Sequence, residues 1–216
     1  MYPHTIPEVE HRAAEELVPF VYNAQNKDAL TGIPDRQALN DALEHAVHDK
    51  QLAGNFGVVV VDLNDFKEGV NDLHGHGEGD KYLANAAGAL KDSIRPEDVA
   101  SLVTRYGGDE FVLLLSGVHD NLTLELIIER LHTNLDEIGV PNAMGGKVHE
   151  HGETAEQLLG AADKLMYFHK TKQRTDSVSP EQRAAYEEIE GIASKAGISL
   201  RGLEATVKAL RADREK

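Results

Sequence analysis

The clearest pattern in the chain is a series of short apolar runs with turn residues between them. Residues 57–62 have the sequence Gly-Val-Val-Val-Val-Asp, and a β-branched run of this length predicts a strand buried on both faces. Further strands are expected at 99–105 and 111–115, with a weaker strand pattern at 143–148. Tyr106-Gly107-Gly108-Asp109 joins the second and third runs and predicts a hairpin.

Between these runs, apolar residues recur at helical spacing. Helices are expected at 7–25, 37–51, 81–93, 122–135 and 154–172. Pro19 should kink the first of them. Thr154 and Gln157 have the spacing of a capping box at the start of the last. Residues 28–36 contain Gly32 and Pro34 and are expected to form a structured loop.

The end of the chain has a separate helical pattern. Pro180 suits the first position of a helix, Gly197 should end that helix, and Ser199 should cap a second one. The second helix has apolar residues three or four positions apart, at Leu200, Leu203, Val207 and Leu210. The resulting helical hairpin is expected to pack on the domain, on the 7–25 helix or on a second protomer.

Composition limits the function classes. The 216 residues carry a formal net charge of −15, which disfavours binding of bulk nucleic acid through its phosphates. The acidity indicates either simple solubility or carboxylates that hold metal. There is no cysteine, which excludes disulfides and thiolate metal sites. The first twenty residues lack a long apolar run, so neither a signal peptide nor a membrane span is expected, and we expect a cytoplasmic location.

Three carboxylates stand at the ends of predicted strands. Asp62 ends the valine run, and Asp109 and Glu110 follow the Gly-Gly pair of the hairpin. Ends of neighbouring strands bring side chains together, and carboxylate oxygens are ligands for Mg²⁺, which usually keeps substrate phosphates in its shell. An acid after a strand is more often a turn or cap residue, so this pattern alone leaves both interpretations open.

The chain resembles the GGDEF-domain diguanylate cyclases in five ordered motifs. Residues 105–111, Arg-Tyr-Gly-Gly-Asp-Glu-Phe, are similar to the motif that defines the family. The other four resemble its D-x-L-T-G-L-x-N-R, D-I-D-x-F-K with N-D, G-H-x-x-G-D and A-D-x-A-L-Y-x-A-K motifs, at 28–36, 62–72, 75–80 and 162–170. The resemblance covers about residues 28–174.

The resemblance implies an α/β fold: a central, largely antiparallel sheet flanked by helices, like the palm of nucleotidyl cyclases and polymerases. The cyclase domain would span 28–174, between an N-terminal helix in 1–27 and a C-terminal helical hairpin in 175–216. The implied activity is condensation of two GTP molecules into cyclic di-GMP and two pyrophosphates. Each protomer would hold one GTP, so catalysis would need a face-to-face homodimer.

The resemblance also assigns roles to residues. Asp62, the Leu63 carbonyl and Asp109 would hold Mg²⁺ or Mn²⁺, and Glu110 would assist deprotonation of the 3′-hydroxyl. Gly107 and Gly108 would let the backbone approach the nucleotide. The remaining contacts would be guanine recognition by Asn71 and Asp80, a backbone cradle around Phe66, and triphosphate neutralisation by Lys67, Lys170 and Arg174.

Some positions depart from the family pattern. An extra residue separates Lys67 from Asn71, which a π-bulge at Gly69 would absorb. Ala143-Met144-Gly145 matches the family's S-I-G strand poorly, so a trimmed last hairpin is expected. Because of these departures, an alternative stays open: a catalytically weak module that binds GTP or cyclic di-GMP and signals through partners.

The family's product-inhibition motif, R-x-x-D, has a counterpart in Arg95 and Asp98. Eight residues, 99–106, separate it from Gly107, where the family has five. At the family's spacing the last position would be Ser101, which carries no charge. Weak product inhibition is therefore expected.

Overall fold

The computed structural model of the chain describes residues 26–49, 52, 54–64, 66, 76–94 and 101–176. The predicted 7–25 helix and the predicted hairpin after residue 178 lie outside the described residues. The elements, in chain order, are α1 (Arg36–His48), β1 (Phe56–Leu63), α2 (His76–Asp92), β2 (Ser101–Gly107), β3 (Glu110–Ser116), α3 (Asn121–Glu137), β4 (Asn142–Val148) and α4 (Ala155–Asp176). The chain divides into two units at Lys170, and the second is described only over 171–176.

The four strands form one antiparallel sheet in the order β2-β3-β1-β4. The valine-rich strand β1 is central, pairing with β3 on one side and β4 on the other, and all eight of its residues are buried. Successive side chains of a strand point to opposite faces, so a strand covered on both faces is apolar along nearly all of its length. The expected sheet flanked by helices is confirmed.

Helices cover both faces of the sheet. Val59 and Val61 belong to a core that includes Leu83 of α2 and Leu131 of α3. Val58 and Val60 point the other way, into a core with residues of α1 and α4 such as Leu39 and Leu158. The domain is therefore a three-layer arrangement with one core on each side of the sheet.

Two helix starts differ from the sequence expectation. Helix α2 begins at His76, not at 81, so Asp80 lies in a helix and not in a loop. The glycines at 77 and 79 have low helix propensity and concealed this first turn, but tertiary packing overrides that preference. Helix α1 begins at Arg36, because Asp35 accepts a hydrogen bond from the Ala38 amide and caps it.

Strand β4 is stronger than its sequence suggests. It is seven residues long and pairs with β1 from Asn142 to Val148. Gly145 and Gly146, which weakened the strand pattern, lie where helices approach the strand closely. A Cβ on Gly145 would overlap the Met166 amide nitrogen, and one on Gly146 would lie 2.7 Å from Ile128 Cδ1.

The turn and cap expectations are confirmed. Strands β2 and β3 form the expected hairpin, with Gly108 at φ +56°, a conformation that glycine adopts without strain. At the start of α4, the Thr154 amide donates to Gln157 Oε1 and the Gln157 amide donates to Thr154 Oγ1, at 2.9 and 3.2 Å. These reciprocal bonds are the expected capping box.

Candidate functional site

Asp62 is a buried acid near the end of the central strand, with a relative exposure of 8%. By strand alternation its side chain lies on the same face as those of Val58 and Val60, toward α1 and α4. Its Cα partners are Glu110 of β3 and Ala143 of β4. A carboxylate at this position needs a positive or hydrogen-bonding partner to offset the cost of its desolvation.

The hairpin brings two more acids to this end of β1. The Leu63 amide donates to the Asp109 carbonyl at 3.1 Å, which attaches the turn to the strand. Glu110 is directly opposite Asp62, and side chains so paired have Cβ atoms about 5 Å apart on one face of the sheet. The structure thus places Asp62, Asp109 and Glu110 at one end of the sheet, beside Gly107 and Gly108.

Lys170 of α4 supplies a positive charge at this point. Its Nζ donates to Asp62 Oδ1, and the two side chains are only 17% and 11% exposed. The neighbouring His169 fixes the helix, since its Nδ1 donates to the Met144 carbonyl of β4 at 2.7 Å. The Asp62–Lys170 ion pair therefore joins the central strand to α4 at the site.

A second ion pair holds the hairpin turn from the other side. Arg105 Nη1 donates to both carboxylate oxygens of Asp28 at 3.1 Å, and its Nε and Nη2 donate to the Gly108 carbonyl at 3.0 and 2.9 Å. Asp28 also accepts from the amide and the hydroxyl of Thr31 at 2.8 and 2.7 Å. The guanidinium thus connects the 28–31 turn to the Gly-Gly turn.

The pKa of Asp28 reflects these contacts. Partial burial pushes the pKa of Asp28 upward, but hydrogen bonds from Thr31 and the Arg105 guanidinium outweigh that effect and hold the pKa below its ordinary value of 3.8. Sequence reasoning assigned no role to either residue of this ion pair. The signal available was that Asp28 and Arg105 open two of the motifs, but nothing in the sequence shows that they meet.

More contacts join the loop before α1 to the hairpin. The Arg105 amide donates to the Pro34 carbonyl at 3.0 Å, and the Arg36 guanidinium lies 4.5 Å from the centre of the Tyr106 ring. A cation over an aromatic face is an attractive contact. The Gly-Gly turn is therefore supported along its β2 side by the loop before α1.

The donors at the site suit a hard divalent cation. Asp62, Asp109 and Glu110 offer oxygen ligands, which Mg²⁺ and Mn²⁺ prefer. Within the described ranges, no three His, Asp or Glu side chains are grouped as a complete metal site. A cation bound here would therefore take part of its coordination shell from water or from a phosphate substrate, as Mg²⁺ does in nucleotide sites.

Comparison with known proteins assigns the chain to a family. The family model described as "Diguanylate cyclase, GGDEF domain" matches residues 25–176. The chain belongs to the GGDEF domain family. Arg105–Phe111, the segment expected to carry the family motif, forms the turn of the β2–β3 hairpin and the strand ends next to it.

Two curated proteins illustrate what this GGDEF domain is similar to in sequence. It is 36% identical over 152 residues to the diguanylate cyclase DgcS of Shewanella oneidensis, a match that covers 68% of this chain and 50% of the relative. It is 32% identical over 167 residues to the cyclic di-GMP phosphodiesterase PdeR of Escherichia coli, covering 73% of this chain and 24% of that protein. The chain thus spans half or less of the length of these curated relatives.

A solved structure with a similar fold is diguanylate cyclase SiaD in complex with its activator SiaC from Pseudomonas aeruginosa. The TM-score is 0.64 at 27% identity, and the match covers 74% of this chain and 64% of that chain. This likeness agrees with the antiparallel sheet and flanking helices described above.

Two other expected substrate contacts lie in described parts of the GGDEF domain. The Phe66 ring is buried in the core and stacks on Tyr82 with 5.8 Å between ring centres. Only its backbone is therefore available for a nucleotide. Asp80 is exposed on α2. Among the described residues, a Cβ built on Gly107 or Gly108 would meet no atom within 4 Å, so this part of the structure leaves open space beside the turn.

The remaining expected site residues are not described. Lys67, Asn71, Arg95 and Asp98, with the π-bulge expected at Gly69, lie outside the described residues. Arg174 is in α4, but its side chain is also outside the described part. None of the helices in the described ranges has the length and apolar character that a membrane crossing requires.

Proposed function

We propose that this GGDEF domain is a diguanylate cyclase that condenses two GTP molecules into cyclic di-GMP and two pyrophosphates. The observation that carries the proposal is the register of β1 with β3, which sets Asp62 opposite Glu110 and next to the Gly-Gly-Asp turn. In the reaction, the 3′-oxygen of each GTP bonds to the α-phosphorus of the other. The bond to pyrophosphate breaks, and each 3′-hydroxyl loses its proton.

The acidic residues would hold the divalent cation. Asp62 and Asp109 would be its carboxylate ligands, with the Leu63 carbonyl as a further oxygen donor. When bound, Mg²⁺ or Mn²⁺ would offset the phosphate charge in the transition state. Glu110, on the same face as Asp62, would accept a hydrogen bond from the 3′-hydroxyl and favour its deprotonation.

The other residues would bind and orient GTP. The open space beside Gly107 and Gly108 would admit the nucleotide against the backbone. Asp80 is exposed on α2 and would accept from guanine N1–H and N2–H, a pair of donors that adenine lacks. The triphosphate would be neutralised by Lys170, together with Lys67 and Arg174, while Asn71 would contact the guanine edge and the Phe66 backbone would help to cradle the phosphates.

The stoichiometry of the reaction calls for two protomers. One site binds one GTP, and each 3′-hydroxyl must reach the α-phosphorus of the other nucleotide. We therefore propose a face-to-face homodimer as the active form. A cytoplasmic location is proposed as well, because GTP is supplied there.

A second candidate function is a domain that binds GTP or cyclic di-GMP with little turnover and acts through partners. The relative named as a phosphodiesterase favours it, because that name assigns to the whole protein an activity other than cyclisation. The two candidates make the same prediction for nucleotide binding and opposite predictions for product formation.

Mass spectrometry of reaction products separates the two. The purified protein is incubated with GTP and Mg²⁺, and in parallel with ATP and with Asp62→Asn protein. We expect cyclic di-GMP and two equivalents of pyrophosphate from GTP with the wild type alone. Saturable GTP binding with no product would contradict the cyclase proposal and support the binding module.

A further inference from the structure

We infer that Lys170 is a tethered counter-ion. Its ammonium group pairs with the Asp62 carboxylate when no metal is bound, and it must move away from that carboxylate when metal enters with the nucleotide. The inference rests on the metal site of the proposed function, and it adds a control of metal binding by Lys170. Lys170 would suppress binding of a bare cation and make metal binding depend on the nucleotide.

The ion pair lies where the cation would bind. Lys170 Nζ donates to Asp62 Oδ1, and neither side chain is more than 17% exposed. A pair so enclosed is weakly screened by salt. A cation that reaches Asp62 must therefore displace an ammonium group that is already in contact with it, since both need the same carboxylate oxygens.

The displacement must come from the lysine side chain, because the helix that carries it is fixed. Helix α4 lies against β4 so closely that a Cβ on Gly145 would overlap the Ala162 carbonyl oxygen and lie 2.7 Å from the Leu165 carbonyl carbon. His169, adjacent to Lys170, is hydrogen-bonded to the Met144 carbonyl at 2.7 Å. The four-carbon stem of lysine is flexible, so its ammonium can move without α4 moving.

Charge explains why the lysine is needed before metal binds. Asp62 and Glu110 are directly opposite on neighbouring strands, and like charges in such a pair are destabilising. Lys170 offsets this repulsion. A bare cation would replace the lysine and leave a half-buried ammonium without a partner, which is costly. A metal bound to a triphosphate brings phosphate oxygens that give the ammonium a new partner.

Metal and nucleotide should therefore bind cooperatively, with the coupling located in Lys170. By linkage, each ligand tightens the other by the same factor. If Lys170 is replaced by methionine, which has similar length and no charge, the competitor for bare metal is lost. The new partner for the triphosphate is lost as well, so the coupling should fall.

The test is a Mn²⁺ titration followed by electron paramagnetic resonance of the free ion, with and without α,β-methylene-GTP. Wild type is compared with Lys170→Met and with Lys147→Met as a matched control. Lys147 also forms an ion pair, with Glu150, but it lies at the other end of β4, paired with Val58.

We expect Lys170→Met to bind Mn²⁺ alone about tenfold more tightly than wild type, a change of about 1.4 kcal/mol. The nucleotide should then tighten Mn²⁺ binding less than in wild type, and Lys147→Met should behave as wild type.

The possible outcomes separate the counter-ion inference from the cyclase proposal. Unchanged or weaker Mn²⁺ binding by Lys170→Met alone overturns the inference, even if cyclic di-GMP is made. Tighter binding by Lys170→Met, in a protein whose wild type makes no cyclic di-GMP, upholds the counter-ion and overturns the cyclase. No Mn²⁺ binding by either protein with the nucleotide analogue overturns both.

A second measurement covers a failure of Lys170→Met to fold, which circular dichroism would reveal. Wild-type protein is treated with acetic anhydride, and acetylation of Lys170 and Lys147 is followed by mass spectrometry. With saturating Mg²⁺ and no nucleotide, acetylation of Lys170 should accelerate several-fold, because its ammonium is released from Asp62. Acetylation of Lys147 should not change. Equal rates at Lys170 with and without Mg²⁺ would refute the displacement.

Discussion

Asp62 shows how a single acidic residue is kept in an otherwise apolar strand. Every residue of β1 is buried, and a carboxylate there is costly to desolvate unless it is paired. Lys170 provides the pairing charge from α4. The position of this acid, near the end of a central strand and beside the Gly-Gly turn, supports the proposed metal site.

We expect Asp62→Asn and Asp109→Asn each to abolish cyclic di-GMP synthesis while the protein stays folded. Loss of a metal-binding carboxylate should reduce the rate at least about 100-fold, a change of about 2.7 kcal/mol in the barrier. Asp41→Asn is the matched control, since Asp41 is exposed on α1 and bonds only to Gln37 among the described contacts. Turnover near the wild-type rate in either site variant would refute the metal assignment.

The Asp28–Arg105 ion pair gives a prediction about pH. Because hydrogen bonds from Thr31 and Arg105 hold the pKa of Asp28 below 3.8 in the fold, the folded state favours the carboxylate. The stabilisation is therefore complete above the pKa of the unfolded chain and is lost as pH falls through the lower pKa of the folded state.

Asp28→Asn should accordingly lower the free energy of unfolding by about 1–2 kcal/mol at pH 7, the range expected for a hydrogen-bonded charge that is partly exposed. The difference between wild type and variant should shrink as pH falls below about 4. Urea denaturation at several pH values measures it. A difference that is as large at pH 2.5 as at pH 7 would show that the carboxylate charge is not its source.

At the scale of elements, the contact between α4 and β4 sets the geometry of the site. Helix α4 carries Lys170 and rests on β4 at Gly145, where there is no room for a side chain. The same helix has Gly160 on its exposed side, where an added Cβ meets no atom of the described residues within 4 Å. The structure thus has no room for a side chain at Gly145 and has room for one at Gly160.

We expect Gly145→Ala to destabilise the domain by at least about 2 kcal/mol, because the methyl group forces α4 off the sheet. The displacement should also separate Lys170 from Asp62. Gly160→Ala should instead stabilise the domain by about 0.5–1 kcal/mol through better helix propensity. Thermal and urea unfolding compare the two variants, and a Gly145→Ala protein as stable as wild type would refute the packing argument.

Much of the architecture could be predicted from the sequence. The valine run, the Gly-Gly hairpin and the 154–157 capping box are local patterns with local causes, and the structure confirms each. The start of α2 and the strength of β4 could not be predicted. In both cases glycines reduced the local propensity, and packing against other elements determined the outcome.

The placement of the candidate site residues could be predicted only in part. The acids at 62, 109 and 110 lie in or next to the last residues of apolar runs and turns, and the pairing of β1 with the hairpin brings them to one end of the sheet. The Lys170–Asp62 contact spans 108 positions and Arg105–Asp28 spans 77. Spacing along the chain carries no information on such contacts, which depend on where α4 and the 28–31 turn pack.

At the scale of the whole molecule, the proposed dimer predicts that an inactive protomer suppresses the activity of a wild-type protomer in a mixed dimer. Each product needs GTP from two protomers, so a wild-type protomer paired with Asp62→Asn protein should make none. At tenfold excess of the variant, activity per wild-type protomer should fall to roughly one tenth by mass action. Light scattering checks that the variant still dimerises. Unchanged activity would indicate that one protomer is sufficient.

The sheet order also has a consequence during synthesis of the chain. Strand β1 is made before its partners β3 and β4, which end at Ser116 and Val148. At 5–20 residues per second, the ribosome needs roughly 4–17 s to reach Val148 after completing Leu63. Until then the four consecutive valines lack at least one of their two partner strands, and such a segment is prone to pair with another nascent chain. The pairing that makes β1 a central strand thus makes slow translation or crowded expression a hazard for this domain. Lower expression temperature with low inducer should raise its soluble yield.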